Sequence, residues 1–280
     1  MRRFVVITPV LNGGAFIAQT LGSVDTQTYP HWVHYVVDGG STDATLEIVG
    51  RSIAAEPRRR LITGPDLGLY DGLLKGFEHA KQDGSSPQDI CVWINSDDML
   101  MPWAFSTVAH SMEATRAEWM TALPTQWDSE GRLMLIQPFV WYPRWWIRRG
   151  WLNGRGLGWI QQESTFFTRG LLERVPSDRL ARVRASRLAG DFLLWRSFAE
   201  LAPLVAIPTA IAGFRSHGGN ASTIMDERYF REVREAGGVV LPTIVGRSVR
   251  LIYQTIALLV TWKRFRTATR IRMWQARNRK

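Results

Sequence analysis

Two adjacent carboxylates follow a short apolar run in the segment Val92–Leu100, which reads VWINSDDML. Adjacent like charges are costly to bury, so Asp97 and Asp98 are expected in water, at the start of a helix, or around a cation. A helix start stays open as an alternative, because acidic side chains stabilise helix N-termini and Pro102 suits a first turn. Oxygen-rich acid pairs also bind Mg²⁺ or Mn²⁺ and leave positions for substrate phosphates. The pair therefore predicts either a helix start or a divalent-metal site.

A second polar segment, VVDGGSTDAT, places Asp38 at the end of an apolar run and follows it with two glycines. In a binding site Asp38 would accept a hydrogen bond from a base or a ribose, and the glycines would admit a flat ligand close to the backbone. The alternative is a capped turn with Ser41 or Thr42 as the helix N-cap. The motifs GxxxxGK[ST] and GxGxxG are absent here, so phosphate-loop and Rossmann dinucleotide sites lose their main support.

Short β-rich runs alternate with helical patterns through the first hundred residues. Strands are predicted at residues 4–8, 33–37, 60–63 and 90–94, and helices at about 16–25, 43–53, 70–81 and 103–112. This alternation is typical of a mostly parallel α/β sheet, in which ligands bind beyond the carboxyl ends of the strands. We expect three polar strand ends to meet at one edge of the sheet, namely Thr8–Asn12, Asp38–Asp43 and Asn95–Asp98.

The second half of the chain is less regular, and no internal repeat divides it. The pattern predicts a hairpin around Asp128–Gly131, a helix containing Asp191 and Trp195, a β pair near residues 205–214, and a loop over residues 215–222.

Composition indicates a globular protein, because 280 residues with 45% apolar side chains can bury one large core or two small ones. The single cysteine, Cys91, lies in an apolar strand, which excludes a disulfide within the chain and a metal site built on cysteines. Pro9 and Asn12 interrupt the N-terminal apolar run too early for a signal peptide. These features predict a cytoplasmic protein in a reducing compartment.

The net charge of +10 belongs to the end of the chain. Residues 244–280 carry ten Lys or Arg and no Asp or Glu, whereas residues 1–243 carry 25 basic and 25 acidic side chains. The body, residues 1–243, therefore gives no electrostatic argument for nucleic-acid binding. The apolar run Leu251–Trp262 is shorter than the ~20 residues that span a bilayer. The tail, residues 244–280, predicts a basic amphipathic helix on the anionic inner face of a membrane, or a helix docked on the body.

Six segments resemble, in order and spacing, the family 2 glycosyltransferases: ITPVLN, VVDGGSTDAT, GPDLGLYDGLLKGF, INSDDML, QQESTFFTR and AGDFLLWRSF. They cover roughly residues 4–220. The resemblance implies an inverting enzyme of the GT-A fold, with a mostly parallel central sheet flanked by helices, followed here by the helical basic tail. It also implies transfer of a sugar from a nucleoside diphosphate donor, with a UDP-sugar favoured, to a hydroxyl of a saccharide or lipid-linked saccharide.

The resemblance also implies roles for individual residues. Asn95-Ser96-Asp97 stands where the family carries its DXD metal motif, so Asp97 is the expected ligand of Mn²⁺ or Mg²⁺, with Asp98 as a neighbour or second ligand. His217 would complete the metal site or contact the pyrophosphate, unless it is an ordinary loop histidine. Donor contacts are expected from Thr8, Pro9, Asn12, Asp38, Asp66, Lys75, Asn95 and Ser96.

One part of the expected donor site departs from the family. The family's usual Asn before Lys75 is Leu74 here, which weakens the assignments between residues 66 and 76. Lys75 itself has three alternatives: a phosphate, Asp66, or solvent.

Asp191, in AGDFLLW, falls where the resemblance places the catalytic base. Inversion is a single in-line displacement, which requires one carboxylate beside the acceptor hydroxyl. A helix N-cap is the alternative role for this residue. The Trp-rich segment from Trp141 to Trp159 predicts an acceptor surface or an interface, because flat rings stack on sugars, with core packing as the alternative. Acceptor contacts are expected from Trp159, Gln162, Glu163 and Trp195.

Two other classes of protein stay open from the sequence. A metal-dependent nucleotidyltransferase would also use paired acids, but it should carry a Gly-rich basic loop near the N-terminus, and TPVLNGG has no Lys or Arg. A catalytically silent sugar-binding scaffold would keep the fold without the transfer.

Overall fold

The structure is a computed structural model, and it describes residues 1–137, 142–218, 227–249, 251–253 and 255–256. The first half alternates strands and helices as predicted. Its elements are β1 (Phe4–Val10), α1 (Ile17–Asp25), β2 (Trp32–Asp38), α2 (Thr45–Ala55), β3 (Arg59–Thr63), α3 (Leu69–Gln82), β4 (Ile90–Trp93), β5 (Met99–Leu100) and α4 (Ala104–Thr115).

The second half has shorter elements. They are β6 (Trp119–Thr121), β7 (Thr125–Trp127), β8 (Leu133–Ile136), α5 (Arg144–Arg148), β9 (Phe166–Thr168), α6 (Arg169–Glu173), α7 (Ser177–Ala185), α8 (Gly190–Leu201), β10 (Val205–Ala206), β11 (Ala212–Arg215) and α9 (Glu227–Glu235). The antiparallel pair β7 and β8 confirms the predicted hairpin, and α8 confirms the predicted helix containing Asp191 and Trp195.

A seven-stranded sheet in the order β10-β6-β9-β4-β1-β2-β3 forms the centre of the protein. The pairs β1–β2, β1–β4, β2–β3 and β6–β10 are parallel, and only β9 runs antiparallel to its neighbours β4 and β6. The prediction of a mostly parallel sheet is confirmed. A four-stranded sheet, β5-β11-β7-β8, lies beside it. The predicted β pair near residues 205–214 is wrong, because β10 joins the large sheet and β11 joins the small one.

Helices cover both faces of the large sheet, as the pattern of its central strand requires. Side chains alternate between faces along a strand, so Phe4 and Val6 of β1 enter one apolar cluster while Val5 and Ile7 enter another. The first cluster includes Phe105 of α4. The second includes side chains of α3 and α8. Because both faces are buried, β1 has no exposed residue, which is why it reads as a continuous apolar run.

The start of the tail packs on the body. Residues 243–249 and 251–253 are helical, and Tyr253 is 4% exposed with its ring edge-on to Trp146 at 5.1 Å between centroids. Most of the apolar run Leu251–Trp262 lies outside the described residues. In the described part of the chain, no helix combines the length and apolar character needed to cross a bilayer. The docked alternative therefore describes the first turns of the tail.

Candidate active site

Hydrogen bonds join the polar ends of β1 and β2. The Asn12 backbone N–H donates to Ser41 Oγ at 2.8 Å, and Asn12 Oδ1 accepts from the Thr42 N–H at 2.8 Å. Ser41 and Thr42 therefore bind the neighbouring loop rather than capping α2, whose N-cap residue is Ala44. Asp43 accepts from the N–H of Thr45, the first residue of α2. Asn12 holds this contact in the left-handed region, with φ of +53°.

The end of β4 reaches the same edge. The Thr20 hydroxyl of α1 donates to the backbone carbonyls of Ser96 and Asp98 at 2.9 and 2.8 Å. Gly13 lies against Ser96, because a Cβ at position 13 would stand 2.8 Å from Ser96 Oγ. The three polar strand ends therefore meet at one edge of the sheet, as the parallel topology requires.

Asp38 presents a buried acceptor oxygen at this edge. Its Oδ2 accepts from the N–H groups of Gly40 and Ser41 at 2.9 and 3.0 Å. Its Oδ1 is buried without a hydrogen-bond partner among the described residues. Asp66 approaches from the next loop, and a Cβ at position 39 would stand 2.7 Å from Asp66 Oδ2, so the glycine at position 39 lets Asp66 close on the backbone. A buried acceptor without a donor indicates a site for a ligand N–H or O–H.

Asp97 and His217 face each other beyond the end of β4. Asp97 Oδ2 and His217 Nε2 are 3.0 Å apart, and both side chains are partly exposed. The histidine ring also packs on Phe16, with 4.5 Å between ring centroids. Arg215 holds this region together, because its buried guanidinium donates to the Asp97 carbonyl at 2.6 Å and to Gln19 Oε1 at 2.7 Å. The carboxylate of Asp97 and the imidazole of His217 thus lie side by side beyond the end of β4, and this pair is called the rim of the site.

Asp98 turns away from the rim, in contrast to Asp97. It is fully buried, with Oδ1 accepting from the Arg215 N–H at 2.8 Å and Oδ2 accepting from Asn95 Nδ2 at 3.0 Å. The carboxyl group of Glu163 hydrogen-bonds with it. Burial, and then the charge of the neighbouring acids, raises the pKa of Asp98 well above its ordinary value. Burial likewise raises the pKa of Glu163 to about 7. The pair therefore retains a proton near neutral pH. Of the two roles expected for Asp98, the geometry is that of a buried neighbour of Asp97, because both of its oxygens accept hydrogen bonds from protein groups.

Asp191 lies in the first turn of α8, and its carboxyl group has a raised pKa. Its Oδ1 accepts from the Tyr70 hydroxyl at 3.3 Å. Burial raises the pKa of Asp191 to about 6, although hydrogen bonds from the Phe192 N–H and Tyr70 oppose the shift. Glu163 lies within electrostatic range of both Asp191 and Asp97, so these carboxyl groups surround one region. A carboxylate with this pKa is ionised at neutral pH and basic enough to accept a proton.

The rim has the donor set of a loosely held divalent metal. Asp97 and His217 supply one oxygen and one nitrogen donor, a combination that suits Mn²⁺ and leaves coordination positions for a ligand's oxygens. No group of three His, Cys, Asp or Glu side chains forms a protein-only metal site among the described residues. The residues therefore fit a metal that is shared with a bound anion.

The family model for "Glycosyl transferase family 2" matches residues 5–171, which is more than half of the chain and includes all three strand ends. This chain belongs to glycosyl transferase family 2. A segment of 79 residues is 38% identical to a "PGL/p-HBAD biosynthesis glycosyltransferase" of Mycobacterium bovis (strain BCG / Pasteur 1173P2), covering 28% of this chain and 30% of the relative. The match therefore spans less than a third of that relative's length.

Solved structures share the GT-A fold of the family. S. aureus TarS 1-349 in complex with UDP-GlcNAc has a TM-score of 0.61 and 16% identity, with 90% of this chain and 71% of that chain covered. The mannosyltransferase PcManGT from Pyrobaculum calidifontis, in complex with GDP-Man and Mn²⁺, has a TM-score of 0.56 and 16% identity, with 98% of this chain and 83% of that chain covered. The predicted mostly parallel α/β fold of GT-A type is confirmed, whereas most of the predicted helical tail lies outside the described residues.

Three residues assigned to the donor from the family 2 resemblance do not reach the rim. Thr8 is fully buried and hydrogen-bonds with His34 Nε2 at 2.9 Å, and Pro9 is also buried in β1. Lys75 pairs with Asp71 at 2.9 Å and donates to the Pro65 carbonyl at 2.7 Å, so its ammonium group is held by α3 and the preceding loop rather than by Asp66. The edge itself is formed by Asn12, Asp38, Asp66, Asn95 and Ser96.

The acceptor assignments need more correction than the donor assignments. Trp195 is 3% exposed and stacks between Trp93 and Trp119 in the core. Gln162 is also buried, where it donates to the Trp93 carbonyl at 2.6 Å and accepts from Asn95, and Glu163 belongs to the buried acid pair. Trp159 alone among the four is partly exposed.

Much of the Trp-rich segment is likewise part of the core. Its apolar side chains Tyr142, Ile147, Leu152 and Leu157 are buried there, and Trp146 and Trp151 pack against them while partly buried. Trp145 is exposed, and Trp141 lies outside the described residues. Core packing, the alternative reading of this segment, therefore describes most of it.

Two residues of the site were missed from the sequence. Arg215 is the last residue of β11 and supports Asp97, and Tyr70 supports Asp191 from α3, far away along the chain. An arginine in an otherwise apolar strand end was a usable signal for Arg215. Nothing in the local pattern around Tyr70 indicates its partner.

Proposed function

We propose that this glycosyltransferase is an inverting enzyme that moves a sugar from a nucleoside diphosphate donor, with a UDP-sugar favoured, to a hydroxyl of a saccharide or lipid-linked saccharide. The observation that carries the proposal is that three carboxyl groups, those of Asp97, Asp191 and Glu163, lie in different environments. Asp97 lies with His217 on the rim, Asp191 has a raised pKa at the start of α8, and the buried Glu163 is within electrostatic range of both carboxyl groups. One acid is thus available to a cation and another to a proton.

The donor would lie along the edge formed by β1, β2 and β4. The free oxygen of Asp38 suits an N–H of a nucleobase, since it has no donor in the described structure. A nucleotide-sugar donor is supported by the related folds, because TarS was solved with UDP-GlcNAc and the mannosyltransferase with GDP-Man. A nucleotidyltransferase or a silent scaffold has no comparable support.

Asp97 and His217 would hold a divalent metal, Mn²⁺ or Mg²⁺, against the diphosphate of the donor. When bound, the metal neutralises negative charge that develops on the leaving diphosphate. Arg215 fixes the Asp97 backbone, and the buried Asp98 accepts from the Arg215 N–H, so the rim carboxylate is positioned by the core beneath it.

Asp191 would act as the general base. The carboxylate must accept the proton of the acceptor hydroxyl on the face opposite the leaving nucleotide, because inversion proceeds by one in-line displacement. Tyr70 orients Asp191 by donating to Oδ1, and the raised pKa of Asp191, about 6, keeps its basicity near the working pH.

A peripheral membrane position on the cytoplasmic face is a second proposal. Several apolar side chains at the start of the tail are exposed, namely Ile244, Val245, Leu251, Ile252 and Ile256. Together with the ten basic residues of the tail they form the composition of a helix that lies on anionic lipid. Sedimentation with anionic vesicles at low and high salt tests it, and full-length protein that stays in the supernatant at low salt contradicts it.

A donor screen tests the main proposal. Nucleoside diphosphate sugars of both UDP and GDP are added with Mn²⁺ or with EDTA, and the melting temperature and nucleotide release are measured. A donor at 100 times its Kd stabilises the protein by about 2.7 kcal/mol. We expect stabilisation and slow nucleotide release with a UDP-sugar and Mn²⁺, and an inverted anomeric configuration in the transfer product by NMR. Equal responses with EDTA, or a retained configuration, would contradict the metal and the mechanism respectively.

A further inference from the structure

A basic pocket of about 480 Å³ lies between the loop before α8 and helix α9. It is lined by Arg187, Leu188, Arg228, Arg231 and Glu232. Its volume is in the range of pockets that hold small molecules. None of these residues belongs to the donor edge, formed by Asn12, Asp38, Asp66, Asn95 and Ser96, or to the rim formed by Asp97 and His217.

The pocket lies next to the proposed base. The Leu188 carbonyl accepts from the Tyr70 hydroxyl at 3.2 Å, and the same hydroxyl contacts Asp191 Oδ1 at 3.3 Å. On its other side the Arg187 guanidinium donates to the Leu67 carbonyl, directly after Asp66. The pocket is therefore placed between the loop that closes on the donor edge and the carboxylate that faces the acceptor hydroxyl.

Glu232 is the one acidic residue in the pocket lining, and its carboxylate already accepts hydrogen bonds from the protein. Glu232 Oε2 accepts from Ser186 Oγ at 2.6 Å and from the N–H groups of Leu188 and Ala189 at 3.2 and 3.1 Å, and Oε1 accepts from the Arg187 N–H at 3.3 Å. This carboxylate anchors the loop over residues 186–189. Its charge is offset by these donors, so the three guanidinium groups dominate the potential of the pocket.

The arginine side chains are placed for an external anion. Arg187, Arg228 and Arg231 are exposed. Arg231 has no hydrogen bond or ion pair within the described part of the chain, and α9 is anchored beneath it by the buried Phe230 and Val233. A guanidinium presents a planar fork of donors that matches two oxygens of a phosphate group.

We propose that this pocket binds a phosphate or diphosphate group of the acceptor and thereby sets the acceptor hydroxyl beside Asp191. The inference rests on the proposed function and gives it a substrate class, glycosyl phosphates or lipid-linked glycosyl diphosphates. A neutral saccharide would offer no charge to the guanidinium group of Arg231, which has no hydrogen bond or ion pair within the described part of the chain. A single carboxylate would use fewer of their donors than a phosphate group does.

A binding experiment tests the pocket separately from catalysis. The full chain is saturated with UDP and Mn²⁺, so that the donor site is occupied, and is titrated calorimetrically with glucose 1-phosphate, methyl glucoside or glucuronate. The variants are Arg231→Ala, Arg231→Lys and, as a matched control, Arg234→Ala, which removes the same charge from α9 outside the pocket. Melting temperatures confirm that each variant is folded.

We expect glucose 1-phosphate to bind the wild type, and Arg231→Ala to weaken that binding by about 10-fold or more, as the loss of a charge-assisted hydrogen bond implies. Arg231→Lys should lie between, and Arg234→Ala should match the wild type. Equal binding by Arg231→Ala and Arg234→Ala overturns the pocket, and glucuronate binding as tightly as glucose 1-phosphate overturns the choice of phosphate. Failure of the wild type to bind UDP contradicts the proposed function instead, and the same titrations without UDP then still test the pocket.

Discussion

The donor edge and the acceptor side are built in different ways. The donor edge consists of the ends of the neighbouring strands β4, β1 and β2. The loops after β1 and β2 hydrogen-bond with each other, and Thr20 of α1 donates to the loop after β4. The acceptor side gathers Tyr70, Asp191 and Glu232 from three helices that are far apart along the chain. Residues at the ends of neighbouring parallel strands are brought together by the sheet topology. Residues on packed helices are brought together by the fit of their side chains. The first kind of site is easier to read from a sequence.

Asp97→Asn should have the largest effect, and it tests the donor edge. We expect a folded protein with transfer abolished, because an amide cannot replace the carboxylate that would hold the cation with His217. Initial rates with and without added Mn²⁺ provide the measurement. Asp83→Asn is the control, since Asp83 follows α3 at the opposite edge of the sheet. Near-normal transfer by Asp97→Asn, with the same response to Mn²⁺, would show that the rim carboxylate has another role.

Asp191→Asn tests the acceptor side. We expect a turnover lower by about 10²–10⁴ with donor affinity unchanged, which is the usual contribution of a general base. In the wild type, kcat should fall as the pH drops through about 6, because burial raises the pKa of Asp191 and protonation removes the base. The variant should lack that limb of the profile. A parallel loss of UDP binding would instead place Asp191 in the donor site.

Sequence patterns predicted five of the eight donor-edge assignments, because β1, β2 and β4 are mostly apolar runs followed by polar residues. Trp195 shows why the acceptor side was harder. An exposed stacking tryptophan and a buried one have the same local composition, and only the spacing of Leu194, Trp195 and Phe198 along α8 indicated a buried face. Strands β10 and β11 are too short for their partners to be read from periodicity, so their separate sheets were not predictable.

Trp195→Ala tests whether the ring of Trp195 contributes to core packing or to acceptor binding. Since Trp195 stacks between Trp93 and Trp119, we expect the variant to lose about 3–5 kcal/mol of unfolding free energy. Trp159→Ala, at a partly exposed position, should cost far less stability. Denaturant unfolding of both variants measures this difference. If Trp195→Ala keeps wild-type stability and loses only acceptor affinity, the ring is not a core residue.

Glu163→Gln should have the smallest effect and the opposite sign. The folded-state pKa of Glu163 is raised from 4.5 to about 7, chiefly by burial, so the protonated form favours folding. That contribution is complete below pH 4.5 and is lost as the pH rises through about 7, where the wild type must bury the charge of Glu163. The amide cannot ionise, so the variant should match the wild type near pH 4.5 and exceed its stability by about 1–3 kcal/mol above pH 7.5. Unfolding in EDTA across this pH range measures the difference without a contribution from metal binding. A variant that is less stable than the wild type at every pH would show that the acid pair stabilises the site as ions, and the acceptor side would then depend on charge rather than on packing.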